Sequence, residues 1–410
     1  MPENNNGQGA RARRAQVMAQ NTMIGREQGP ELFFSQTITL GGLTGGAVIV
    51  QVPRTLTLNR PLESITIVLR GRLVVGAYDY TSVSPEHFTN LLQQIQLTGI
   101  HRVFGNLVPI RISGAMAFVW NRLFRTTGNT LMINGLRAQD PTIPLTYNSP
   151  AAATALLFAG LQGTYDFEVY YEIPLGPLLP PSAGEAQRGV SFLYLPQDWA
   201  DSLQLQISLG DRTSLGVPQT STPTTWTSFG SASGTPSLEV HLNYSILGAF
   251  GNALKTGVTI RTEQSFSAFT ALANATRLSL LQKQITTNVV LKSGITQVSA
   301  APPVFGSVSD VQLGRSMIMV DNKPIRNNQN NGVAKTFGMT NFNTVWPQGY
   351  LVFSFIDSQN PLTAYRGDGL QGGSTFEIDT DILTANAGNL QTMVQEMVYG
   401  GPYPALRPGA

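Results

Sequence analysis

Residues 165–173 read Tyr-Asp-Phe-Glu-Val-Tyr-Tyr-Glu-Ile, so Tyr165, Phe167, Val169, Tyr171 and Ile173 alternate with Asp166, Glu168, Tyr170 and Glu172. Successive side chains of a strand leave on opposite sides, and nine residues of strict period two predict a half-buried antiparallel strand. A helix of period 3.6 would scatter the same residues around its circumference. The rhythm recurs. Residues 238–246 place Leu238, Val240, Leu242, Tyr244 and Ile246 on one side, and 64–75 set Ile65, Ile67 and Leu69 against Thr66, Val68 and Arg70. Strands are predicted as well over 203–209, 285–291, 350–356 and 374–382, and 36–40 is expected to pair with 47–52 across the GGLTGG break.

One helix stands between strands, where Ser113 caps a stripe of Met116, Val119, Trp120, Leu123 and Phe124. The polar, Thr/Ser/Gly/Pro-rich or Asn-rich stretches 210–236 and 321–343 read as long surface insertions. Residues 389–399 fit either a helix, through Leu390, Met393, Val394 and Met397, or a closing strand. Many short strands with abundant Gly and Pro indicate an all-β sandwich architecture. A chain of 410 residues outgrows one core, which stops enlarging at roughly 250–300 residues, so two sandwiches are expected.

Charged residues make up 12% of the chain, about half the usual ~25%. A protein dispersed alone in water needs charge, whereas one sealed against sister subunits needs less, so the shortage points to an assembly. With no cysteine there is neither a disulfide framework nor a thiolate metal site. His87, His101 and His241 have no ligand-like spacing, and no apolar run approaches the ~20 residues of a membrane helix. The start of the chain has no apolar segment of a signal peptide, so folding in a cytoplasm is expected.

The formal charge of +2 belongs wholly to residues 1–30, where Arg11, Arg13, Arg14 and Arg26 outnumber Glu3 and Glu27. A neutral body with a basic arm is not the spread basic face of a nucleic-acid binder. From Arg13 to Ile24, Val17, Met18 and Met23 or Ile24 recur at rough helical spacing before Gly25, which makes the arm either a short docking helix or a charged tail. Arg11, Arg13 and Arg14 suit phosphate or anionic lipid head groups.

Other motifs yield little chemistry. Gly367-Asp-Gly369-Leu-Gln-Gly372 is formally a phosphate loop, yet a strand pattern follows where a helix N-terminus is required. Glu377, Asp379 and Asp381 share a strand face, as do Asp166, Glu168 and Glu172. Such carboxylates serve glycosidases or Ca²⁺ sites, but alternation alone explains both rows as solvated or interface faces. No GxSxG elbow is present. Catalytic, cofactor and metal residues are therefore expected to be none, and the chain is read as no enzyme.

Three segments, in order, resemble the double jelly-roll major capsid proteins of the tectivirus–adenovirus lineage. They are FTNLLQQIQLTGIHRVFGNLVPIRISGAMAFVWNRLF (88–124), GTYDFEVYYEIPLGPLLPPSAGEAQRGVSFLYLPQ (163–197) and WPQGYLVFSFIDSQNPLTAYRGDGLQGGSTFEIDTDI (346–382). The stretch ARARRAQVMAQNTMIGREQ is similar to the family's N-terminal helix. The likeness is close over about a third of the chain, while 210–236 and 305–345 match nothing in it.

The resemblance implies two eight-stranded antiparallel jelly-roll β-sandwiches side by side, with a short N-terminal helix and a few inserted helices. It implies a basic arm at residues 1–32, a first jelly roll at 33–252 and a second at 253–410. The chain would form a homotrimer of pseudo-hexagonal outline that tiles the icosahedral shell of a tailless, membrane-containing bacteriophage. Arg11, Arg13 and Arg14 would lie at the inner face, against internal membrane lipid or neighbouring capsomers. Partners would be the chain itself, minor capsid and vertex proteins and membrane lipid, with no sequence-specific nucleic acid binding and no cofactor. A trimeric receptor-binding spike and a secreted β-sandwich carbohydrate-active protein remain alternatives. The first should show repeats or a fibrous segment, the second a signal peptide and an aromatic-carboxylate cluster.

Overall fold

The computed structural model describes the strands named below together with residues 91, 102, 104, 113–114, 116–117, 175, 199–200 and 210. The first half contains β1 (Gly25–Arg26), β2 (Glu31–Thr37), β3 (Gly46–Val52), β4 (Leu62–Val75), β5 (Tyr80–Val83), β6 (Leu92–His101) and β7 (Gly105–Ile112). There follow β8 (Leu131–Ile133), β9 (Leu136–Arg137), β10 (Gly163–Pro174), β11 (Leu203–Leu209), β12 (Gly216–Pro218) and β13 (Ser237–Ile246). The second half contains β14 (Val258–Phe269), β15 (Thr276–Gln282), β16 (Ile285–Thr296), β17 (Phe305–Ser307), β18 (Leu313–Val320) and β19 (Lys323–Asn330). It ends with β20 (Tyr350–Ser354), β21 (Tyr365–Arg366), β22 (Ser374–Ile382) and β23 (Gly388–Tyr399).

The short strands β1, β5, β8, β9 and β12 aside, the first half has eight strands. One sheet runs β2-β13-β4-β10, the first, eighth, third and sixth of the eight. The other runs β3-β11-β6-β7, the second, seventh, fourth and fifth. Without β17 and β21, the second half repeats this permutation, as β14-β23-β16-β20 and β15-β22-β18-β19. Eight antiparallel strands in these two interleaved orders make a jelly roll, and the chain has two. They join edge to edge: β7 pairs in parallel with β14, Ile110 beside Thr262 and Arg111 beside Glu263, so one ten-stranded sheet crosses both halves.

Period two decides the core of the first jelly roll. Across one sheet, Val240–Ile67–Tyr171, Leu238–Leu69–Val169 and Leu242–Ile65–Ile173 form buried cross-strand rows. The facing sheet supplies Val50–Leu205–Leu97–Ile110 and, beside it, Ile207–Ile95–Ile112. Fully burying such side chains contributes about 1.5–3 kcal/mol each against exposure, and the two apolar faces close on each other as a sandwich. Burial holds the Tyr171 hydroxyl well above its usual pKa, so it stays protonated in the core.

Several expectations change. Residues 36 and 37, the described part of 36–40, do not pair with 47–52. β2 starts at Glu31 and lies on β13, while β3 lies on β11 in the other sheet. Interleaved orders send consecutive strands to opposite sheets, which local sequence does not announce. The stretches read as insertions hold strands: β12 pairs with β5, and the polar β19 forms a hairpin with β18. β19 has no apolar alternation and, among the described residues, stands at the end of its four-stranded sheet, paired with β18 alone. Gly25, read as a helix stop, pairs with Ile246 in β1. Residues 389–399 form strand, in the middle of the ten-stranded sheet. The predicted N-terminal helix lies outside the described residues. Of the helix after β7, the cap is present: Ser113 Oγ accepts from Met116 N at 3.2 Å and Ser113 O from Ala117 N at 2.8 Å.

Candidate functional site

The first jelly roll presents two flanks of different chemistry. On the outer face of β4, β10 and β13, polar residues stand across from one another: Asp166 by Arg72, Glu168 by Arg70, Glu172 by Thr66, and Asn243 by Ser64. Arg72 donates to both oxygens of Asp166, from Nε at 2.5 Å and Nη2 at 2.8 Å. That fork holds the Asp166 carboxyl below the usual carboxylate range. Arg70 donates from Nε to Glu168 at 2.5 Å and from Nη1 to Glu239, and the Tyr170 hydroxyl donates to Glu168 as well. Partial burial opposes the Arg70 charge, but Glu168, Tyr170 and Glu239 together outweigh it and raise the guanidinium pKa. Burial, with the bond to Glu168, raises the Tyr170 pKa. His241 Nε2 lies 3.1 Å from Glu239 Oε2.

At the far end the same face is buried. Glu172 is only 6% exposed and accepts from Ser64 Oγ at 2.7 Å, and Asn243 Nδ2 donates to Ser64 Oγ and Thr66 Oγ1, each at 2.8 Å. The carboxylate row on β10 is thus neither a bare solvated face nor a pair of free acids. Its members are matched by partners from adjacent strands, Asp166 by Arg72, Glu168 by Arg70 and Glu172 by Ser64.

The other flank, the outer face of β3, β11 and β6, carries amides and hydroxyls. Gln204, Gln206 and Ser208 of β11 and Gln94, Gln96 and Thr98 of β6 are half-buried there. One row runs Ile49–Gln206–Gln96–Arg111, with Ile49 54% exposed on the edge strand and Arg111 its one charge, beside the junction with β14.

Of the residues singled out from sequence, Arg11, Arg13, Arg14 and the glycines 367–372 lie outside the described residues. Glu377, Asp379 and Asp381 fall on β22, where Asp379 stands in register with Arg277 of β15 and Met317 of β18. Among the described residues, no group of three or more His, Asp or Glu could hold a metal ion, and no helix is long and apolar enough to cross a membrane.

No family profile and no curated protein matches the chain. Solved structures do. The chain aligns with the STIV MCP, the major capsid protein of Sulfolobus turreted icosahedral virus, at a TM-score of 0.56, covering 94% of this chain and 98% of that one at 13% identity. It aligns with PBCV-1 VP54, as fitted into a reconstruction of the virophage Sputnik, at 0.53, covering 91% and 94% at 12% identity. With the major capsid protein P2 of bacteriophage PM2 the score is 0.51, covering 90% and 97% at 8% identity. These neighbours share the double jelly-roll fold along nearly their whole lengths.

Proposed function

We propose that the chain is a major capsid protein, building an icosahedral shell from trimeric, pseudo-hexagonal capsomers. One observation carries this reading. The same eight-strand permutation occurs twice in a single chain, joined edge to edge, and the whole arrangement aligns with major capsid proteins over at least nine-tenths of each chain for the three above. Two similar modules per chain let three chains present six modules, which is how a trimer fills a hexagonal lattice site. The low charge and the amide flank suit a subunit whose sides are covered by its own kind. Shell stability then follows from many modest contacts acting together.

In this reading residues 1–32 are a basic arm, 33–252 the first jelly roll and 253–410 the second. Arg11, Arg13 and Arg14 meet the internal membrane or neighbouring capsomers. Minor capsid and vertex proteins complete a bacteriophage virion whose subunits are made in the host cytoplasm. Light scattering on the purified protein tests the core of it. A trimer is expected, and a monomer persisting at micromolar concentration would defeat the assignment.

A further inference from the structure

The two jelly rolls repeat each other closely enough to locate a surface that a second copy of this chain would cover, an inference resting on the shell reading above. Inside the chain, the junction is made by the fifth strand of the first jelly roll, β7, and the first strand of the second, β14, with Arg111 in register with Glu263. The equivalent strands at the other ends are β19, fifth of the second, and β2, first of the first. Among the described residues each has partners on one side alone, β19 on β18 and β2 on β13, and Leu32 of β2 is 55% exposed. A strand edge left open on a folded protein invites another strand.

The sequence repeats at the same places. β7 contains Pro109-Ile110-Arg111, and β19 contains Pro324-Ile325-Arg326. β14 contains Glu263-Gln-Ser-Phe266-Ser267, and β2 contains Glu31-Leu-Phe-Phe34-Ser35. The two glutamates also head matching cross-strand rows. Glu263 continues to Val394, Val289 and Phe353, and Glu31 to Leu242, Ile65 and Ile173. In both, an acid on the first strand of a jelly roll leads three apolar residues. Arg326 and Glu31 therefore occupy, on opposite ends of the chain, the positions that Arg111 and Glu263 occupy at its middle.

We propose that β19 of one copy lies parallel against β2 of the next, with Arg326 in register with the next copy's Glu31. The contact is heterologous, since each copy offers one β19 and one β2, so it closes into a ring when the rotation per copy divides the circle. Junctions within chains and between chains then alternate around that ring with the same charge pairing. Opposite charge in register favours this docking and penalises like-with-like edge pairing.

The test is a charge swap on the full-length chain. Arg326→Glu and Glu31→Arg are each expected to weaken trimer association by at least about tenfold in light scattering, leaving monomers with native circular dichroism. The double variant is expected to recover the trimer. A cysteine pair gives an independent readout, because the chain has no cysteine of its own. Arg326→Cys with Glu31→Cys should cross-link copies covalently on oxidation, as partners in register lie within disulfide reach. Single variants that assemble like the parent, or a cysteine pair that gives no cross-link between copies, overturn the junction while leaving the shell reading intact. A parent chain that stays monomeric overturns both.

Discussion

A methyl group on Gly99 would stand 2.4 Å from Leu203 Cδ2 and 3.0 Å from Trp199 Cε3, both in buried side chains. The ring of Trp199 needs that space, because the segment 199–200 is pinned on the end of β6 through an isolated bridge to His101 and a 2.8 Å bond from Ala200 N to Ile100 O. Overpacking of this kind costs about 1–3 kcal/mol, so Gly99→Ala should lower the urea midpoint accordingly, and an unchanged midpoint would mean the cluster yields freely. His101 lies in the same cluster, edge-on to Trp199 at 5.1 Å and tilted against Phe104 at 4.4 Å. Burial lowers its pKa below the ordinary 6.5. The unfolded chain therefore takes up a proton before the folded one does, and stability declines as pH falls below that value until the folded histidine also titrates. His101→Phe should flatten this decline, read as the difference in urea midpoint between about pH 7.5 and 5.5. At this scale the sequence was nearly silent, for a glycine and a lone histidine carry no sign of what packs over them. The hairpin turn is the exception in physical logic: Gly105 has φ +73°, a conformation that glycine adopts freely.

At the scale of the strand, β10 displays both the reach and the limit of periodicity. Phe167, Val169, Tyr171 and Ile173 are buried as the alternation requires. The opposite face grades from the exposed Asp166 to the buried Glu172, a gradient set by what β4 and β13 bring alongside. Removing the donor to a buried carboxylate leaves it under-satisfied. Ser64→Ala is therefore expected to cost about 1–3 kcal/mol in thermal or urea unfolding, while Arg72→Met on the solvated end changes little. Equal effects from both would deny the gradient. In β23, Thr392, Met393, Val394 and Gln395 are all buried in succession. A strand covered on both faces loses period two, and this is why 389–399 read equally as helix.

For the molecule as a whole, the repeated permutation and the β7–β14 junction are the organising facts. The basic arm supplies the prediction that belongs here. Replacing Arg11, Arg13 and Arg14 with Gln should leave the proposed trimer intact while reducing sedimentation with anionic lipid vesicles or attachment within shells. Unchanged particles formed on lipid would make the arm a passive tail. The recurrence of Pro-Ile-Arg and of Glu-x-x-Phe-Ser was present in the sequence throughout, but short matches gain meaning only once both sets are known to lie on equivalent strands.

Local alternation, turn residues and chain length sufficed to determine that this protein is all-β, built as two sandwiches, and poor in charge for its size. The first two follow from the period of a strand and from the limited size of a core. Which strands pair, that β2 and β3 part to different sheets, and that β7 meets β14 were decided by tertiary structure alone. Pairing is a contact between segments distant in sequence, and the backbone ladder that makes it accepts nearly any side chain. A polar edge strand such as β19 can therefore form with no apolar rhythm to announce it.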